Sequence, residues 1–210
     1  MDALVALAIH DAKNGLTSLN TWLAEAQREH PSAAITEAQA VATRVGAQLV
    51  ELLALYRENE GSLRLAIDDH YLSDFCSDVF AEFSLPPGKG LQLRKATETA
   101  DEVGSWAFDA YQVKMVLLDA LRNAARHARS WVQLGIEQTD EGLCFSVSDD
   151  GPGFPDELLE GGETTMAAGG SGLGLSFAHL IARRHATPNG RHGRIEMLNQ
   201  DGAVFRLYVP

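Results

Sequence analysis

Apolar side chains recur at three- and four-residue spacing through the first quarter of the chain. In residues 2–29 the recurring positions are Ile9, Ala12, Leu16, Leu19, Leu23 and Ala26, a spacing that lines up one face of a helix. His30-Pro31-Ser32 breaks the pattern. It resumes over residues 33–57 with Ala38, Val41, Val45, Leu49, Leu52 and Tyr56, so two long helices are expected to fold into an antiparallel hairpin across a short turn. One hairpin cannot enclose its own core. Pairing two copies into a four-helix bundle buries the apolar faces, and a homodimer through residues 2–57 is expected.

Past Glu60-Gly61 the period changes, which divides the chain into residues 1–60 and 61–210. Residues 63–67 alternate as a strand does, 71–83 as an amphipathic helix, and 91–95 as a strand after the Pro86-Pro87-Gly88 turn. Phe108 to Gln112 lead into a helix that carries Asn123. Residues 131–137 and 143–148 read as a hairpin across 138–142, and 194–198 with 204–209 as a second. Residues 173–185 read as a helix. The fold class expected is α+β: an N-terminal helical hairpin, dimeric as a four-helix bundle, then a two-layer α/β sandwich whose mixed sheet is faced by three helices.

The 210 residues carry a formal net charge of -12, which argues against duplex nucleic acid and anionic membrane surfaces as partners. The aliphatic stretch at residues 3–9 is too short to span a bilayer and has no basic lead-in, so the expected location is cytoplasmic. Cys76 and Cys144 are isolated in sequence and read as reduced thiols. His185 and His192 read as loop-surface residues, not metal ligands.

The chemistry gathers in four stretches. Leu143-Cys144-Phe145-Ser146-Val147 reads as a buried strand, so Asp149 of Asp149-Asp150-Gly151-Pro152-Gly153 sits at a strand end, where its carboxylate can accept from an amine. Gly170, Gly172 and Gly174 allow close backbone approach to phosphates, and the helix starting at Leu173 points its amides at an anion. In the preceding helix, Asp119, Asn123 and His127 share one face at four-residue steps, beside a row of Arg122 and Arg126. His10 lies about 100° round its helix from Ile9, towards the edge of the apolar stripe. Its neutral imidazole is a usable nucleophile near pH 7, and Asp11 can hold one ring N–H. Asn14, one turn on, shares its face.

The order of Asn123, then Asp149-x-Gly151-x-Gly153, then Gly170-x-Gly172-Leu173-Gly174 resembles the N, G1 and G2 boxes of the Bergerat-type ATPase domain. Sensor histidine kinases, gyrase-type topoisomerases and related chaperones share that domain. His10-Asp11-Ala12-Lys13-Asn14-Gly15-Leu16 resembles the H box of histidine kinases. The resemblance implies a sensorless histidine kinase core that uses ATP and Mg²⁺. Asn123 helps hold the metal, Arg126 and His127 meet phosphates, Asp149 takes the adenine amine, and the glycines with Leu173 shape the pocket. His10 accepts the γ-phosphoryl group, Asp11 orients it and takes its proton, Asn14 positions a water for dephosphorylation, and the receiver domain of a response regulator is the onward partner.

Departures accompany the resemblance, among them a phenylalanine-containing box that is not apparent and a stretch at residues 186–193 longer than the usual Gly-Gly turn. Gly15 replaces the usual Pro. Asp119 stands where histidine kinases often have Asn and gyrase-like relatives have Glu. The lid at residues 155–168 is short. Gly202-Ala203-Val204-Phe205 carries Ala where Thr is usual. The alternatives are an ATP-independent histidine phosphotransfer protein, or a gyrase- or chaperone-like ATPase using Asp119.

Overall fold

The computed structural model describes residues 2–86, 88–159 and 172–210. They form two units, residues 1–63 and 64–210.

The first unit holds α1 (Asp2–Glu29) and α2 (Ala33–Asn59), which pack along each other. At the turn, His30 N–H donates to Ala26 O (2.8 Å) and Ser32 N–H to the Gln27 side chain (3.2 Å). The first bond satisfies a carbonyl left open at the end of α1, and the second a backbone donor at the start of α2. The second helix ends where Gly61 takes a φ of +64°, and Ser62 and Leu63 turn their amides back onto Arg57 O at 2.8 and 3.1 Å. The first helix runs unbroken through Gly15, where a Cβ would meet nothing within 4 Å.

The apolar stripe is not simply the seam between the two helices. Ile9 is buried; Leu16, Leu23, Ala26, Leu49 and Tyr56 are half-buried; Ala12, Leu19, Ala38, Val41, Val45 and Leu52 are exposed. Ala42, Glu51 and Ala54 are the buried residues of α2 instead.

The second unit contains β1 (Asp68–Tyr71), α3 (Leu72–Glu82), β2 (Gln92–Ala96), α4 (Thr99–Val103) and β3 (Ser105–Phe108). After these come α5 (Ala110–His127), β4 (Trp131–Thr139), β5 (Gly142–Asp149), α6 (Asp156–Leu159), α7 (Leu173–Arg184), β6 (Arg194–Asn199) and β7 (Ala203–Val209). Five strands form a mixed sheet in the order β2-β4-β5-β7-β6, parallel only between β2 and β4. β1 and β3 pair separately as an antiparallel ribbon.

Helix α5 packs on β4 and β5, α7 packs on β6 and β7, and α3 packs against α5. Leu117, Leu118 and Leu121 of α5 and Ile181 of α7 are fully buried, as are Leu134, Leu143 and Leu207 of the sheet. Each such side chain contributes about 1.5–3 kcal/mol on leaving water. Phe75, Phe108 and Phe145 meet edge-on with centroids 4.9 to 5.7 Å apart, which joins the β1–β3 ribbon to the main core.

Three readings need correction. Residues 63–67 are not a strand, because the Ala66 amide donates to Asp109 Oδ2 (2.8 Å) and pairing begins one residue after Ile67. The sequence pattern does not mark the short elements β1, β3, α4 and α6. His185 is not on the surface: it caps the end of α7 with only 2% of its area exposed. There its Nε2 accepts from the Asp109 amide (3.0 Å) and Nδ1–H donates to Ile181 O (2.7 Å). That arrangement needs a neutral ring, and burial lowers its pKa against the Ile181 bond and the Asp109 charge. His192 is exposed, with Nδ1 against Arg183 O.

Candidate functional site

Asp109 starts α5 by accepting from Gln112 N–H (3.0 Å), a side-chain cap on a helix whose inner face is apolar. At the other end Lys89 donates to the carbonyls of Ala125 (3.2 Å) and Arg126 (2.5 Å), placing a cation where the helix dipole is negative. The helix is thus held at both ends. Along its outer face Asp119 is half-buried, while Asn123, Arg126 and His127 are exposed.

Both glycine motifs close on this face. A Cβ at Gly174 would overlap the Asp119 carboxylate, and a Cβ at Gly151 would lie 2.7 Å from His127 O. Asn123 lies between the two contacts, one turn from each. Asp119 and His127 are about 12 Å apart along the helix. Burial raises the Asp119 pKa, partly offset by Arg122 and Arg126.

Asp149 ends β5 with 4% of its area exposed. Its Oδ1 accepts from Gly151 N–H (2.7 Å). Burial raises its pKa, against the pull of the Gly151 and Ala203 amides and of His127. A carboxylate has about four acceptor positions, so two amides leave capacity for a further donor.

Gly153 takes a φ of +87°, and the Asn199 side chain brackets the next residue: Phe154 N–H donates to Oδ1 (2.7 Å) and Nδ2 donates to Phe154 O (3.0 Å). Asn199 was not singled out from the sequence, and neither was Asp150, which accepts from the connection between α5 and β4. The Asp-Asp-Gly turn was the only available signal, since Asp side chains bond nearby backbone in such turns.

Helix α7 begins on Gly172 at a φ of +68° and carries no acidic residue in its first turn. The first turn thus contributes no carboxylate of its own to compete for its amides, although the Asp119 carboxylate of α5 lies against Gly174. Gly170, and residues 160–168 of the expected lid, lie outside the described residues.

In the first unit, the backbone of His10 lies within α1, and Asp11 and Asn14 are exposed on the same helix. The His10 side chain lies outside what is described.

This sheet and helix layer, with two glycine motifs meeting on one helix, defines the class of the second unit. Residues 108–210 match the family described as histidine kinase-, DNA gyrase B-, and HSP90-like ATPase. The chain is similar to the sensor protein CseC of Streptomyces coelicolor, with 33% identity over 76% of this chain and 31% of that protein. It therefore spans about a third of that relative's length. Two solved structures share the fold. The histidine kinase AdeS of Acinetobacter baumannii has a TM-score of 0.61 at 17% identity, covering 91% of this chain and 93% of that one. Full-length ShkA in complex with AMPPNP has a TM-score of 0.66 at 17% identity, covering 99% and 45%. Residues 108–210 belong to this ATPase family, and the chain is similar to sensor histidine kinases.

Proposed function

We propose that this chain is the core of an ATP-dependent protein histidine kinase that phosphorylates itself on His10 and passes the phosphoryl group to an aspartate of a response regulator receiver domain. The observation that carries the reading is the convergence on α5, where Gly174 meets Asp119, Gly151 meets His127, and Asn123 is exposed between them. In this reading Asp149 takes the adenine amine. Gly151, Gly153, Gly170, Gly172, Leu173 and Gly174 enclose the nucleotide, and Arg126 and His127 stand by its phosphates.

Asn123 offers an amide oxygen, a donor that suits a hard cation. Among the described residues no group of three or more His, Cys, Asp or Glu could hold a metal by itself. Mg²⁺ would therefore be shared between Asn123 and nucleotide phosphates, where it would neutralise charge during phosphoryl transfer. His10 supplies the nucleophile, Asp11 orients it and accepts its proton, and Asn14 serves dephosphorylation. The exposed apolar residues of α1 and α2 support a homodimer through residues 2–57. Among the described residues no helix is long and apolar enough to cross a membrane, and we place the activity in the cytoplasm.

A second reading, a gyrase-like ATPase, rests on Asp119, whose burial-raised pKa suits a group that takes a proton from water. Incubation with γ-labelled ATP and Mg²⁺ separates the two. The kinase reading expects acid-labile, alkali-stable label on the wild type and none on His10→Ala. Undiminished label on His10→Ala overturns it.

A further inference from the structure

Asp150 follows the proposed adenine-contacting residue, and its carboxylate is taken up by another part of the chain. Its Oδ1 accepts from three successive amides, those of Arg129 (2.9 Å) and Ser130 (2.9 Å) in the α5–β4 connection and of Trp131 (3.2 Å), the first residue of β4. The Ser130 hydroxyl donates to Oδ2. Desolvation works to raise the Asp150 pKa, but the Ser130 hydroxyl and the Ser130, Trp131 and Arg129 amides outweigh it and hold the group well below the usual carboxylate range. Hydrogen bonds to an ionised acceptor are about twice as strong as neutral ones.

The residues on either side of Asp150 are tied to the same region. A Cβ at Gly151 would lie 2.7 Å from His127 O, and Asp149 pairs with Val132 of β4. Residues 149–151 are therefore fastened to residues 127–132. Asn123, Arg126 and His127 belong to the helix that ends there.

We propose that Asp150 is a positioning residue for the nucleotide site: it holds the end of β5 against the end of α5 and so sets the placement of Asp149 relative to Asn123, Arg126 and His127. This rests on the ATP-binding reading. A nucleotide held by its base at Asp149 and by its phosphates along α5 can use both contacts only while their separation is fixed, because each ordered contact adds to affinity without a further loss of freedom. The Asp150 carboxylate touches no nucleotide in this account. Its effect passes through Asp149.

Calorimetric titration of the full chain with Mg²⁺-ATP tests the proposal, because it reads the fraction of competent sites separately from their affinity. Asp150→Ala is expected to bind at full stoichiometry with Kd raised about tenfold, the scale of a lost hydrogen bond in a site. Asp150→Asn can keep one oxygen toward the amides and turn its NH₂ to the Ser130 hydroxyl, so its Kd is expected to stay within about threefold of wild type. An unchanged Kd in Asp150→Ala overturns the proposal at either full or reduced stoichiometry, and the latter marks a role in folding alone. If Asp150→Ala does not fold, Ser130→Ala decides: Kd raised about threefold or more supports positioning, and a wild-type Kd overturns it. Failure of the wild type to bind would reject the nucleotide reading itself, a separate result.

Discussion

Gly202 lies so close to the backbone of Asp149 that a Cβ on it would overlap the Asp149 carbonyl oxygen. The turn between β6 and β7 thereby braces the strand end that carries the candidate adenine contact. Gly202 also has a φ of +146°, which L side chains rarely adopt. Gly202→Ala is expected to cost at least about 3 kcal/mol, combining backbone strain with overpacking against main chain. Gly61→Ala is the control, since Gly61 has a φ of +64° but nothing within 4 Å of a Cβ, and it is expected to cost about 1–2 kcal/mol. Urea unfolding of both variants checks the difference, and equal losses would contradict it.

His185 makes stability depend on pH. Its ring must be neutral at Nε2 to accept the Asp109 amide, and its folded pKa lies below the ordinary value of 6.5. The unfolded chain therefore binds more protons than the native one as pH falls below about 6.5, so stability present above that pH is lost through the window beneath it. His179 is shifted in the same direction by burial and Arg183, so the wild type alone does not isolate the effect. His185→Gln keeps a side-chain acceptor without the titration and is expected to lose less stability between about pH 7 and 5. Parallel acid-side curves for the two proteins would remove His185 from the account.

The sequence pattern was most legible where it was local. The strand-like runs on both sides of residues 138–142 marked β4 and β5, and the gap at His30-Pro31-Ser32 marked the end of α1 and the start of α2. β1 and β3 were hidden because each is four residues long and its partner lies far along the chain. The burial of His185 depends on a backbone amide 76 positions away, which no local period encodes. In the candidate site, motif order suggested that the glycine turns meet the Asn123 helix. The side-chain anchors Asp150 and Asn199 stayed unseen because their partners are backbone groups contributed by other segments.

The exposed apolar side chains of the two long helices carry a prediction about assembly. Leu7, Leu19, Trp22, Val41, Val45 and Leu52 are 58%, 39%, 65%, 42%, 37% and 42% exposed. Leu19, Val41 and Val45 also line one shallow groove with Leu16, Ala38 and Ala42. Apolar side chains gathered in an exposed groove mark a contact surface in soluble proteins. The wild type is expected to be a dimer at micromolar concentration by light scattering, and Val41→Glu to weaken it at least about tenfold by burying an unpaired charge. A monomeric wild type would end this reading of α1 and α2.

Asp119 separates kinase from plain hydrolase. It is half-buried against Gly174, one turn before Asn123, and burial raises its pKa against the pull of Arg122 and Arg126. If its carboxylate activates water, Asp119→Asn should slow phosphate release by about a hundredfold, the usual loss when a general base is removed. If His10 is the nucleophile and Asp11 its proton acceptor, the same variant should keep labelling of His10 within about threefold, because its base lies elsewhere. The raised pKa gives an independent check that the variant is folded. Between the ordinary value of 3.8 and the raised one, Asp119 holds more protons in the native state than in the unfolded chain, so its contribution to stability falls as pH rises through that window, as does that of Asp149. Asp119→Asn lacks the Asp119 share of that fall and keeps the Asp149 share. Loss of His10 labelling together with hydrolysis, in a variant whose stability curve shows the expected flattening, would make Asp119 the base for phosphoryl transfer and displace Asp11 from that role.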